Sequence, residues 1–203
     1  MDFYYSIEDH RFFEEKIKGS RFIANIYPIQ NKEEAEEHLN SLRKEHYDAT
    51  HNCYAYILGS QGLEYRANDD GEPNGSAGNP ILFSIKKYKL SDVLLVVTRF
   101  YGGTKLGVGG LARAYGGTAE EVIKLCKRKK INITKRVKIF TTYDDINTVK
   151  RLLDEYAVSF EEIYTDTIEI TAEIPISKVM NFRKQITEQT ADRSGSRELD
   201  ESY

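Results

Sequence analysis

Tryptophan is absent and cysteine nearly so: the 203-residue chain holds only Cys53 and Cys126. Two cysteines so placed build neither a disulfide framework nor a zinc-ligand pattern, and they point to a reducing, intracellular compartment, the cytoplasm. Long hydrophobic runs are missing too. No stretch is long enough to span a bilayer, and the opening residues Met1–Tyr5 carry neither the basic region nor the apolar segment of a secretory signal. What remains is the composition of a globular chain, 40% hydrophobic and 11% aromatic, long enough for two modest domains with cores of their own.

Net charge is also small, −3, but it is unevenly spread. Residues 124–138 hold eight basic side chains and no acid, while residues 1–123 carry net −4 and residues 139–203 net −7. A basic belt that includes Lys127, Arg128, Lys129 and Lys130 suits contact with a phosphate backbone, which needs local rather than global positive charge. The plainer use of the same residues is a solvated helix end, where lysines complement the helix dipole.

Glycine is where the chain is rich. Residues 99–117, from Arg99 to Gly117, place seven glycines and three basic side chains, Arg99, Lys105 and Arg113, where an apolar strand hands over to a helix. Val93–Val97 is short, β-branched and uncharged, and reads as a buried strand. Gly102 and Gly103 permit positive φ and close backbone approach, and Gly107, Gly109 and Gly110 expose amides at a helix start, a geometry that holds an anion. Leu111, Tyr115, Thr118, Val122 and Leu125 then give the helix a core-facing stripe. Gly109, Ala112, Gly116 and Ala119 form a second, small-residue ridge, which reads as tight packing against a neighbouring element. Two familiar phosphate motifs fail here. Val108 stands where a P-loop needs lysine, and the GxGxxA match from Gly107 has a basic run, Lys127–Lys130, where a dinucleotide fold needs an acid.

A second segment, Asn68–Pro80, is dense in turn dipeptides. Its carboxylates Asp69, Asp70 and Glu72 offer oxygen to a hard cation, though not at EF-hand spacing. The competing uses are helix caps, solvated turns, or internal pairing with Arg99 or Lys105 that holds the glycine loop in shape. His51 and Cys53 stand two apart in an alternating strand and so face one side. They admit nucleophilic chemistry if the thiol is ionised and accessible, against a structural role in packing. No third catalytic partner, cofactor or metal-ligand set follows from the pattern.

The remaining periodicity sets the architecture as α+β. A strand over Arg21–Ile29 precedes a helix capped by Asn31, with Glu34 completing a capping-box-like pair and Ala35, Leu39, Leu42 and His46 on one face. Strands near 52–59 and 62–67, a helical stretch near 76–88, the buried strand and the long helix complete a domain over 1–133. A second domain, 134–203, starts with a strand at Val137 and Ile139. A helix from Asp144 or Asp145 bears Ile146, Val149, Leu152, Leu153 and Tyr156, a further strand follows, and Ile168, Ile170, Ala172 and Ile174 alternate. Ser177 caps a last helix carrying Val179, Phe182 and Ile186. The order βαββα is ferredoxin-like, with its closing strand unassigned. Residues 191–203 are polar and read as disordered.

Four blocks in order now carry a resemblance: Lys18–Ala24, Asp48–Tyr56, Asp69–Leu82 and Thr98–Gly117. Together they resemble the YigZ/IMPACT family, in its bacterial two-domain form. The resemblance implies a two-layer N-terminal domain like domain four of elongation factor G and a small C-terminal domain like its domain five. It implies no catalytic residue. Eukaryotic relatives are translation regulators acting through protein partners, and this chain lacks their N-terminal partner-binding domain.

The expectation is therefore a translation-associated regulatory protein that binds RNA or the ribosome without catalysis, with Arg99, Lys105 and Arg113 meeting phosphate beside the glycines and Lys127–Lys130 extending the contact. Two alternatives stand beside it. One is an enzyme or small-phospholigand protein in which Asp69, Asp70 and Glu72 hold a metal and His51 or Cys53 takes part in chemistry. The other is a protein-interaction module. No membrane partner is expected.

Overall fold

A computed structural model describes residues 2–165 and 167–199. Along them run β1 (Phe3–Ile7), β2 (Arg11–Ile17), β3 (Ser20–Pro28), α1 (Lys32–Glu45), β4 (His51–Leu58), β5 (Glu64–Asn68), α2 (Gly78–Lys87), β6 (Val93–Phe100), α3 (Val108–Lys124) and β7 (Arg128–Asn132). They are followed by β8 (Thr134–Thr141), α4 (Ile146–Tyr156), β9 (Ser159–Tyr164), β10 (Ile168–Pro175), α5 (Val179–Gln189) and β11 (Gly195–Glu198). Two compact units result: Tyr4–Ile131, and a second made of Asp2, Phe3 and the described residues from Asn132 onward.

The larger unit is built on an antiparallel sheet of order β2-β3-β6-β4-β5. The uncharged β-branched run of β6 takes the centre because both its faces are covered. Val93, Leu95 and Val97 pack with Phe22, Cys53, Ile81, Leu111 and Tyr115 under α2 and α3. Leu94 and Val96 pack with Ala35, Leu39 and Leu42 of α1 on the other face. The α+β class holds, and helices on both faces add a third layer to the two expected.

Local chemistry explains the boundaries. Asn31 accepts the Glu34 amide at 2.9 Å, while the Glu34 carboxylate takes the amide of Gln30 at 2.8 Å, one residue earlier than a capping box requires. His46 closes α1 as its C-cap. On α3 the stripe Leu111, Tyr115, Thr118 and Val122 is buried, but Leu125 lies past the helix end and is 52% exposed. The tight packing expected of Gly116 and Gly117 is corrected: a Cβ on Gly116 would make an ordinary 3.5 Å contact with Pro80 of α2, and one on Gly117 would meet nothing within 4 Å.

In the smaller unit the sheet order is β11-β8-β10-β9, antiparallel throughout. Val137, Ile139, Ile168, Ile170, Ala172 and Ile174 form one core with Val149, Leu152, Phe182 and Ile186 of α4 and α5. This is the ferredoxin-like arrangement, with β11 as its closing strand. The expectation of disorder from residue 191 is corrected for 191–199: Gly195–Glu198 pairs with β8, and Lys135 and Arg183 both reach Glu198. Residues 200–203 of that expectation lie outside the described residues. The start of α4 at Asp145 is as expected, and one cap, that of Ser177, is corrected. Asp145 stands at the start of α4, but its carboxylate binds Arg193, at 2.6 and 3.0 Å, and does not cap the helix. The Ser177 hydroxyl donates to Asp2, and α5 begins from Lys178 without a side-chain cap.

Candidate functional site

The strand register assembles the site. Arg99, at the end of β6, lies opposite Phe22 on β3 and His51 on β4, so all three side chains project from the face that α2 and α3 cover. Cys53 follows His51 by two and shares that face. Over them folds the acidic loop, in which each carboxylate has a separate task. Asp69 accepts the amides of Gly75, Ala77 and Gly78 at 2.8–2.9 Å and so caps α2 from a distance. Asp70, held at φ 44°, takes the Asn52 amide at 2.6 Å and Arg43 at 3.1 Å. Glu72 takes Arg99 Nη1 at 2.5 Å and the Tyr115 hydroxyl at 2.8 Å.

These carboxylates therefore do not converge on one point, and among the described residues no group of three metal-ligating side chains forms. The metal-holding arrangement of Asp69, Asp70 and Glu72 is corrected: their lone pairs are spent on backbone amides, arginines and a tyrosine. Internal pairing, Glu72 with Arg99, is what the loop uses. Lys105 does not join that pair; it lines the neighbouring cleft.

His51 Nδ1 lies 2.7 Å from the Asp70 carbonyl oxygen, which can only accept, so this nitrogen carries the proton. Its Nε2 lies 4.0 Å from Glu72. Cys53 is fully buried, and its Sγ donates to the Asp69 carbonyl at 3.0 Å. Burial pushes its thiol up to about 12, with the nearby carboxylates adding to the effect. The nucleophilic use of the His51 and Cys53 pair is thereby corrected, because a thiol so buried stays protonated. Burial, with Cys53 and Glu72 nearby, also drives the Tyr115 phenol far above its ordinary value. Tyr115 and Ser20 belong to this network and were missed as polar members. The signal was present for Tyr115: a tyrosine in a buried stripe needs a partner for its hydroxyl.

The glycine bend leaves this network at Tyr101. Ser20 Oγ ties it down, accepting Gly102 N at 3.2 Å and Arg99 Nη2 at 3.3 Å, and Thr50 Oγ1 accepts the Tyr101 amide at 2.9 Å. Gly102 is glycine for a reason internal to the chain, since a Cβ there would stand 1.9 Å from the Gly19 carbonyl carbon. Gly107, at φ 71°, is the N-cap of α3 and has no side chain to offer; no acid stands in the first turn. The helix thus opens on Val108, Gly109 and Gly110 without a side-chain cap. Beside it lies a cleft of about 440 Å³ whose walls include Glu72, Pro73, Arg99, Tyr101, Lys105, Leu106, Val108 and Leu111. Tyr101, Gly102, Gly103 and Lys105 are exposed.

The expected phosphate contacts do not form one surface. Arg99 is 5% exposed and occupied by Glu72, Arg113 lines a separate groove between α2 and α3, and of the three Lys105 is the exposed one lining the cleft at the start of α3. Lys127–Lys130 follow the far end of α3, whose seventeen residues rise about 25 Å. There Arg128 donates to the Tyr88 carbonyl at 3.0 Å and stacks 4.1 Å over Tyr5. Much of the belt is strand β7, not a helix end.

Comparison with known proteins bears on this frame. The model of the Impact N-terminal domain matches residues 18–123, and that of a domain of unknown function matches residues 139–193. The IMPACT family member YvyE of Bacillus subtilis is 34% identical over 98% of this chain and 93% of its own. The chain belongs to the IMPACT family. The family member YigZ of Escherichia coli is 32% identical over 86% of this chain and 87% of its own. A crystal structure of a protein described only as hypothetical superposes with TM-score 0.70 at 26% identity, covering all of both chains. The IMPACT match contains the whole network and the glycine bend; the basic segment Lys127–Lys130 falls between the two matched stretches. No helix among the described residues is long and apolar enough to cross a membrane.

Proposed function

We propose that this IMPACT-family protein is a non-catalytic, translation-associated regulator that works in the cytoplasm by contacting RNA, free or within the ribosome. One observation carries the reading: an uncapped helix N-terminus beside Lys105 opens onto a cleft whose one acid among the described residues, Glu72, is already neutralised by Arg99. Such a site favours phosphate through aligned amides and the helix dipole. The basic strand about 25 Å away serves as a second contact along the same polymer, and a polyanion that reaches both ends of α3 is a nucleic acid more readily than a small metabolite. The elongation factor G likeness that the family suggests supports the ribosome as a setting.

Anisotropy of a labelled single-stranded RNA across a salt series tests this. Each phosphate neutralised on a single strand contributes about −0.7 to the slope of log affinity on log salt. Changing Lys127, Arg128, Lys129 and Lys130 together to glutamate should lower the slope by about 3. Salt-independent binding, or a variant that binds like the parent, would overturn the reading.

A further inference from the structure

The cleft at the start of α3 is built for more than a phosphate. Its walls are mostly apolar, with Tyr101, Leu106, Val108 and Leu111 lining it beside Glu72, Arg99 and Lys105. Val108 is 59% and Tyr101 45% exposed, and the Arg99 guanidinium carbon lies 5.3 Å from the centre of the Tyr101 ring. Arg99 is almost fully buried, yet its Nε is a donor with no acceptor among the described residues. A buried guanidinium N–H left unpaired is costly, and Arg99 lines the same cleft as Lys105 and the start of α3. The volume, about 440 Å³, falls in the range of pockets that take small organic ligands.

We propose that this cleft holds one unstacked nucleotide, its phosphate at the α3 amides and Lys105 and its base against Tyr101 and the aliphatic wall. Two features favour a nucleotide over a bare anion: the aromatic ring of Tyr101, and an apolar surface that phosphate alone leaves wet. With the base against Tyr101, Leu106, Val108 and Leu111, recognition is by stacking and tolerates any base. The inference rests on the RNA reading for the source of its nucleotide, and a free nucleoside monophosphate has the same chemistry.

Calorimetry on the full chain with AMP, ribose 5-phosphate and inorganic phosphate separates the parts, run beside anisotropy with a single-stranded RNA. AMP should bind about ten-fold more tightly than ribose 5-phosphate, the lower range of what an aromatic platform contributes per base. Tyr101→Ala should erase that difference, Tyr101→Phe should keep it, and Lys105→Glu should weaken all three ligands. Because Tyr101 is exposed, these variants keep the fold. Equal affinity for AMP and ribose 5-phosphate, or a preference that survives Tyr101→Ala, overturns the nucleotide cleft; if RNA still binds, the RNA reading stands without it. A preference for AMP without RNA binding sinks the RNA reading and leaves the cleft to the free nucleotide.

Discussion

Glu72→Gln is the substitution that most directly probes how the acidic loop is held over the glycine bend. The Glu72 and Arg99 side chains are 4% and 6% exposed and stand 2.5 Å apart, with Tyr115 and Ser20 supplying the remaining hydrogen bonds. The amide can still accept from Tyr115, but it leaves the Arg99 guanidinium charged, buried and without a counter-ion. Breaking a buried pair from one side costs about 3–5 kcal/mol. Replacing both partners, as in Glu72→Gln with Arg99→Met, removes the stranded charge and should recover most of that loss. Urea titration of the full chain, followed by tyrosine fluorescence and circular dichroism, measures all three variants, and the smaller unit gives an internal reference. A loss below about 1 kcal/mol for Glu72→Gln, or a double variant no more stable than the single, would refute the view that this pair is desolvated and holds the loop.

Three further outcomes follow from the same geometry. Gly102→Ala sets a methyl group 1.9 Å from the Gly19 carbonyl carbon, so backbone must move, and the variant should lose more than about 3 kcal/mol in the same titration. Asp69→Ala strips the amides of Gly75, Ala77 and Gly78 of their acceptor; a loss of about 2–4 kcal/mol is expected, and Asp69→Asn should recover part of it. Cys53, pushed up to about 12, and Cys126, pushed up to about 11, both by burial, hold their protons longer when folded than when unfolded. Their contribution is complete below the ordinary thiol range and is lost as pH rises through about 11 for Cys126 and about 12 for Cys53. Stability should fall by up to about 1.4 kcal/mol per pH unit for each thiol, and Cys53→Ala should flatten the decline between pH 9 and 11.

Much of this fold could be read from residue pattern because its elements rest on strong periodic signals. The β-branched run of Val93–Val97 became the central strand, and the alternation of Ile168, Ile170, Ala172 and Ile174 became an inward-facing strand. What escaped lacked such a signal. The β11 segment, Gly-Ser-Arg-Glu, has no apolar residue and is held by backbone pairing and by ion pairs to Glu198. The basic segment from Arg128 to Asn132 pairs with β1 as a strand, although its charge reads as a helix end. Side-chain assignments proved less legible than element positions, because a carboxylate in a turn looks the same whether it caps a helix, as Asp69 does, or neutralises an arginine, as Glu72 does. Of the seven glycines in one segment, those of the loop suggested a ligand and Gly116 and Gly117 suggested packing. Contacts separate them: a Cβ on Gly102 would collide with Gly19, one on Gly116 would only touch Pro80, and Gly107 leaves a helix end open.

The central claim is that the start of α3 receives phosphate. Amide shifts of the isotope-labelled protein, recorded as a short single-stranded RNA is added, test it without any mutation. The largest shifts are expected at Gly107, Val108, Gly109 and Gly110, with a second set at Lys127–Lys130. Shifts that leave Gly107–Gly110 unmoved while the RNA binds elsewhere would contradict it.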